Sequence, residues 1–304
     1  MYSWLQLTLI SGIFLGLWDI AKKKALSISP LFYVLALYTT FCFIFNLYSI
    51  EESLKISKTL LLLIFIKSLF VVCCWILNFT SIKNLPISII TPFNTLTPLF
   101  TILIGTLFLH ERINLINSIG ILIMLTAYYF ISKTSNNEVT GLFKNKYFYL
   151  VFISTFLSAL SAILDKIILQ ETTPEKIQFW FCFFIAFMYW IILIYTKFKT
   201  RKSQINPTDI PLLNSHQNKT FNILKKHNFN IYIIIMSILL FLADRIYFIA
   251  INQSNSVISI IMPVRSISIV VSSIIGGFIF KEKNLKTKLI CTILIIIGIA
   301  FIFS

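Results

Sequence analysis

Four charged residues stand inside otherwise apolar stretches of this chain: Lys67, Asp244, Arg245 and Arg265. Each costs roughly 2.5 to 3.5 kcal/mol to place in the centre of a membrane helix, so it is kept for an internal partner or for a polar cavity. A guanidinium or ammonium in that setting attracts an anionic group, and a carboxylate serves as counter-ion or proton acceptor. Asp244 and Arg245 are adjacent and project about 100° apart on a helix, so they cannot share one partner. Asp19 and Asp165, placed towards helix ends where water reaches, are further candidates for the counter-ion or proton role.

Spacing groups these charges with small polar residues. Arg265, Ser268, Ser272 and Gly276 step by three, four and four, which aligns them on one helical face. Asn94, Thr97, Thr101 and Gly105 repeat that spacing, with an amide where the other stripe has a guanidinium. Ser154, Ser158, Ser161 and Asp165 form a third line, and Gly12, Gly16 and Asp19 a sparser fourth. Two readings stay open for the hydroxyls and glycines: close helix packing with hydroxyls bonded back to their own helix, or the lining of a pathway. For Lys67 and Arg265 the choice is an ion pair within the bundle, with Asp244 or Asp19 as partner, or the wall of a solute pathway. Trp18, Trp75 and Tyr247 are candidate walls or gates, beside the reading as interfacial anchors. Pro92 and Pro263 each remove a backbone hydrogen bond just before Asn94 and Arg265, which predicts kinks beside a cavity. The candidate binding set is therefore Lys67, Asn94, Thr97, Thr101, Asp244, Arg245, Arg265, Ser268, Ser272, Trp18, Trp75 and Tyr247.

The elements that must carry these residues follow from composition. The 304 residues are 58% hydrophobic and 12% charged, against about a quarter charged in soluble domains. Apolar runs long enough to cross a ~30 Å hydrocarbon core predict ten helices, over about 3–21, 30–49, 59–79, 86–109, 114–132, 147–169, 174–195, 229–250, 256–280 and 286–303. The runs are too long and too continuous for barrel strands, so the fold class is an all-α polytopic membrane protein.

At an offset of 171 residues the chain repeats itself: Asn84 meets Asn255, Ser88 meets Ser259, Pro92 meets Pro263, Gly105 meets Gly276 and Glu111 meets Glu282. The polar stretch 133–146 divides two five-helix units, 1–132 and 147–304. An odd number of helices per unit makes them inverted repeats. The segment 196–228, with Pro207 and Pro211, reads as a polar loop without a counterpart in the first unit.

Eighteen of the 26 Lys and Arg lie in the loops after helices 1, 3, 5, 7 and 9, against five on the other side. By the positive-inside rule both termini lie outside. The positive charge is read against lipid headgroups and not against nucleic acid. The five cysteines form no C-x-x-C, and His110-Glu111-Arg112 lacks the second histidine of a zinc-protease helix. With no P-loop and no Gly-x-Ser-x-Gly elbow, neither an enzyme nor a cofactor nor a metal is expected.

The tail of each unit, Asn84–Ile131 and Asn255–Ile302, resembles the EamA-type domain of the drug/metabolite transporter superfamily. The polar link into Pro92 or Pro263, the small-residue helix, Gly105 or Gly276, and Glu111 or Glu282 carry the resemblance. Gly16-Leu17-Trp18 followed by Lys24-Ala25-Leu26 resembles the opening of such a domain. The family's Gly-Glu-Arg turn is His110-Glu111-Arg112 here and Lys281-Glu282-Lys283 in the second copy. The resemblance implies helices 1, 3, 4, 6, 8 and 9 around a central cavity, two halves that rock, and both termini in the cytoplasm, opposite to the charge count. The expectation is a multi-pass transporter of the plasma or inner membrane that moves a small polar organic metabolite, an amino acid being the first candidate, with H+ as candidate coupling ion. The alternatives are a translocator of lipids or lipid-linked sugars and a non-transporting scaffold.

Overall fold

A computed structural model describes residues 4–84, 96–133, 146–205, 230–279 and 285–303. The described residues are helical and turn structure without a strand. The helices are α1 (Trp4–Ile28), α2 (Leu31–Phe45), α3 (Lys58–Asn84), α4 (Leu96–Phe108), α5 (Leu115–Lys133), α6 (Lys146–Leu169), α7 (Pro174–Ile205), α8 (Ile231–Ile251), α9 (Ile258–Arg265), α10 (Ser268–Ile279) and α11 (Leu285–Phe303). Each of the ten predicted segments contains a described helix. Among the described residues, five helices are long and apolar enough to cross a membrane: α1, α3, α6, α7 and α8. The second segment gives a sixth span if its bent pair, Leu31–Phe45 and Leu47–Ser53, is counted as one.

Several boundaries differ from the sequence reading, α3 among them, which runs to Asn84 and not to 79. α1 continues past residue 21 to Ile28, because its lysines find partners along the helix: Lys22 bonds Asp19 at 2.6 Å and lies 4.0 Å from the Trp18 ring centroid. Asp19 is therefore inside the helix and not near its end. α7 runs to Ile205, into the segment read as a loop; residues 206–228 of that segment lie outside the described residues. The second segment bends by 43° after Asn46, whose buried amide donates to the Cys42 carbonyl oxygen at 2.7 Å. The ninth segment is two helices, α9 and α10, separated at Ser266–Ile267 just beyond Pro263, where tight bonds such as Ile267 N–H to the Val264 carbonyl replace the regular ladder. The kink expected at Pro92, and with it Asn94 and residues 134–145 of the predicted linker, lies outside the described residues.

Packing has an internal exchange symmetry. α1 packs on α8 as α6 packs on α3, and α4 packs on α6 as α9 and α10 pack on α1. α7 packs on α3 as α2 packs on α8, while the pairs α2–α7 and α5–α11 map onto themselves. Exchanging the first five segments with the last five thus preserves the most extensive of these contacts, while lesser ones, such as α7 with α8 and α5 with α9 and α10, have no such counterpart among the described residues. At one end of the bundle α4, α6 and α8 finish and α9 begins, and these ends bond one another. At the opposite end Asn230, which caps α8, also donates to the Ala25 carbonyl and the Ser29 hydroxyl of the α1–α2 turn. Large apolar side chains including Leu62, Leu103, Leu122, Ile191 and Ile296 face outwards, as a lipid-solvated surface requires.

Candidate functional site

The helices α1, α3, α6, α8 and α9 reach the middle of the bundle with charged or hydroxyl side chains, and a cavity of ≈ 260 Å³ opens between them. Its lining includes Trp18, Lys67, Trp75, Ser158, Ser161, Asp165, Asp244, Tyr247, Arg265 and Ser268. A second cavity of ≈ 340 Å³ shares Leu15, Trp18, Trp75 and Ser158 with the first, and is lined further by Lys22, Tyr38, Asn78, Thr97 and Ser154. The second cavity lies towards the end of the bundle where α1 and α3 finish and where α4, α6 and α8 begin.

Two ion pairs organise the first cavity. Lys67 on α3 meets Asp165 on α6 at 2.6 Å, with 2% and 6% of the side chains exposed. The Lys67 ammonium also stands 3.6 Å from the Phe181 ring centroid and 4.6 Å from that of Phe248, so aromatic faces cover what the carboxylate leaves open. Arg265, the last residue of α9, donates through Nη2 to Asp244 at 2.6 Å and through Nε to the Ser11 hydroxyl at 3.1 Å. Ser11 in turn donates to the Ala243 carbonyl at 2.7 Å, tying α1 to α8 beside the pair. The Tyr247 hydroxyl donates to Asp165 at 3.4 Å and its ring lies 3.9 Å from the Arg265 guanidinium, which links the two pairs. The Arg265–Asp244 pair is the more accessible, at 13% and 17%.

Glycine brings α1 onto the broken helix. A Cβ at Gly12 would lie 2.6 Å from the Arg265 carbonyl oxygen, and one at Gly16 would lie 2.6 Å from Val271 Cβ and 2.8 Å from the Ser268 carbonyl oxygen. The sparse glycine line of the sequence is thus the contact that sets Arg265 against Ser11.

Of the candidate binding residues, the structure brings Trp18, Lys67, Trp75, Asp244, Tyr247, Arg265 and Ser268 to the first cavity and Thr97 to the second. It does not bring Arg245, Thr101 or Ser272 there. Arg245 faces away from Asp244, pairs with Glu175 at the start of α7 and lies 5.9 Å from the Tyr48 ring. Thr101 and Ser272 bond back to the carbonyls of Thr97 and Ile269 in their own helices. Asp165, read as a helix-end acid open to water, is buried because Lys67 lies opposite it. Ser11, Phe181 and Phe248 are not in the candidate set. Ser11 adjoins the glycine line, a usable signal, while the two phenylalanines are indistinguishable in sequence from the other apolar residues.

Residues 2–133 and 145–304 match the EamA-like transporter family. No curated protein matches the chain. A protein of known crystal structure shares the fold with a TM-score of 0.72 at 12% identity, over 98% of this chain and 95% of that one.

Proposed function

Because the chain belongs to the EamA-like transporter family, a multi-pass membrane transporter of small molecules, we propose that it is a secondary transporter of ten membrane helices. Its two inverted five-helix repeats, 1–132 and 147–304, alternate access to a site at the centre. The substrate is a small polar organic metabolite bearing a carboxylate, an amino acid being the leading class. The single observation that carries this reading is the Arg265–Asp244 pair at the wall of the first cavity. A substrate carboxylate exchanges with Asp244 at the planar guanidinium, and a substrate ammonium then occupies the freed Asp244. Ser268 and Ser158 supply hydrogen bonds, and Trp18, Trp75 and Tyr247 form the apolar walls.

The acids Asp244 and Asp165 are the groups through which a proton would couple, and the membrane is the plasma or inner membrane. The exchange symmetry of the helix pairs supports the rocking of two similar halves. The test is uptake of labelled amino acids into proteoliposomes. Uptake is expected with the native protein and lost with Arg265→Ala. Undiminished uptake in that variant would remove Arg265 from the site.

A further inference from the structure

Glu111 directly follows the turn that ends α4, yet it spans to the first turn of α9 in the other half of the chain. One carboxylate oxygen accepts from the Ile258 N–H at 2.7 Å. The other accepts from the Ser259 N–H at 2.9 Å and the Ser259 hydroxyl at 2.5 Å. A single carboxylate thus satisfies two free amide donors of a helix start and places its charge at the positive end of the helix dipole.

The backbone is shaped for this contact. His110 has φ 53°, the left-handed region that stops α4, and the Glu111 N–H bonds the Gly105 carbonyl at 3.3 Å. Gly105 leaves the necessary room: a Cβ there would collide with Ser259 Oγ and come within 3.0 Å of Glu111 Oε2. Beside it, Lys166 at the end of α6 donates to the Ser256 carbonyl at 2.8 Å and hydroxyl at 2.5 Å, and to the Ile251 carbonyl at 3.3 Å. The link entering α9 is held from both sides.

α9 is short, and Arg265 is its last residue. From Ser259 to Arg265 the helix rises about 9 Å, so a clamp on its first turn fixes the level and direction of the guanidinium. We propose that Glu111 is a positioning residue and an inter-half latch: its bonds to Ile258 and Ser259 hold this end of the bundle shut and set Arg265 against the cavity. Their release opens this end and moves Arg265 together with α9. The inference builds on the two-halves reading above, but its test needs no substrate.

Met262 lines the first cavity on the latch side of Arg265, and Met262→Cys provides a reporter. The protein is placed in proteoliposomes and a membrane-impermeant maleimide is applied from each side in turn; the parent without the reporter accounts for the native thiols. Loss of hydrogen bonds to a charged group predicts that Glu111→Gln raises reporter labelling from the latch side about tenfold or more. Gly105→Ala does the same by pressing Ser259 and Glu111 apart. Glu111→Asp, which keeps the charge, brings labelling part of the way back, and labelling from the opposite side does not rise in any of these. Unchanged labelling from the latch side, or an equal rise from both sides, would overturn the latch. Should Glu111→Gln fail to fold, Ser259→Ala, which removes one of the three bonds, is read by the same criterion. Latch-side labelling that rises as expected while no amino acid is transported keeps the latch and removes the transport reading instead.

Discussion

Lys67 and Asp165 form an ion pair that spans the two halves of the chain, 2.6 Å apart and almost wholly buried. Two rings, Phe181 and Phe248, complete the enclosure of the ammonium. Removing one partner leaves an uncompensated charge in a low-dielectric interior, whereas removing both leaves only a volume change. Lys67→Met and Asp165→Asn are each expected to destabilise the protein by about 3 kcal/mol. The double variant Lys67→Met/Asp165→Leu is expected to recover most of that loss. Melting in detergent checks the order: single variants below the double.

In the proposed mode of binding, Asp244 competes with a substrate carboxylate for the guanidinium it pairs with. Asp244→Asn keeps the shape of the side chain and removes its charge, so binding of a simple monocarboxylate is expected to tighten, by about tenfold at the effective dielectric of a partly exposed pair. A cationic or zwitterionic ligand, deprived of its counter-ion, is expected to weaken. Titration of the two ligand classes against the native protein and the variant separates these opposite signs.

The glycine contacts divide cleanly between site and scaffold. Gly12→Ala places a methyl against the Arg265 carbonyl and Ile267, whereas Gly120→Ala places one 2.6 Å from the Gly298 carbonyl in the α5–α11 pair, away from both cavities. Both overpack a tight helix contact and are expected to cost about 1 to 3 kcal/mol. Only Gly12→Ala is expected to abolish ligand binding, because only it displaces the helix break that presents Arg265. Measuring melting and ligand binding for both variants reads the difference.

Pro263 and the break at Ser266–Ile267 make α9 a separate short element. Pro263→Ala restores an amide that can bond the Ser259 carbonyl, four residues back. The variant is expected to bind ligand with affinity within a few-fold of native and to transport it several-fold more slowly, since a straighter α9–α10 moves less easily between two arrangements. Separate measurement of equilibrium binding and of transport rate checks this.

Much of the fold was legible in the residues because apolar length and small-residue spacing are local properties. The Arg265–Ser268 face and the Ser154–Ser158–Ser161–Asp165 line do point at cavities. Asp244 and Arg245, about 100° apart on their helix, have different partners, Arg265 and Glu175, as that angle requires. The partner of Lys67 was not legible. Asp165 lies 98 residues away, and which helices touch is a matter of tertiary packing that periodicity cannot express. The helix end at Ile28 is missed for a related reason, since Lys22, which reads as a loop residue, extends along Trp18 and Asp19. Thr101 and Ser272 share a stripe with site residues, but their hydroxyls are satisfied by their own backbone.

Thermal unfolding of the purified protein in detergent reads whether Arg265 in the first cavity receives the carboxylate of a small metabolite, as proposed. The panel comprises amino acids, sugars, nucleotides and amphiphiles, each run with the native protein and with Arg265→Ala. A ligand present at a hundred times its dissociation constant should stabilise the native fold by about 2.7 kcal/mol. The predicted result is a rise in midpoint with amino acids or other carboxylate-bearing metabolites that disappears in Arg265→Ala. A rise of the same size in the variant, or a rise confined to amphiphiles, would contradict it.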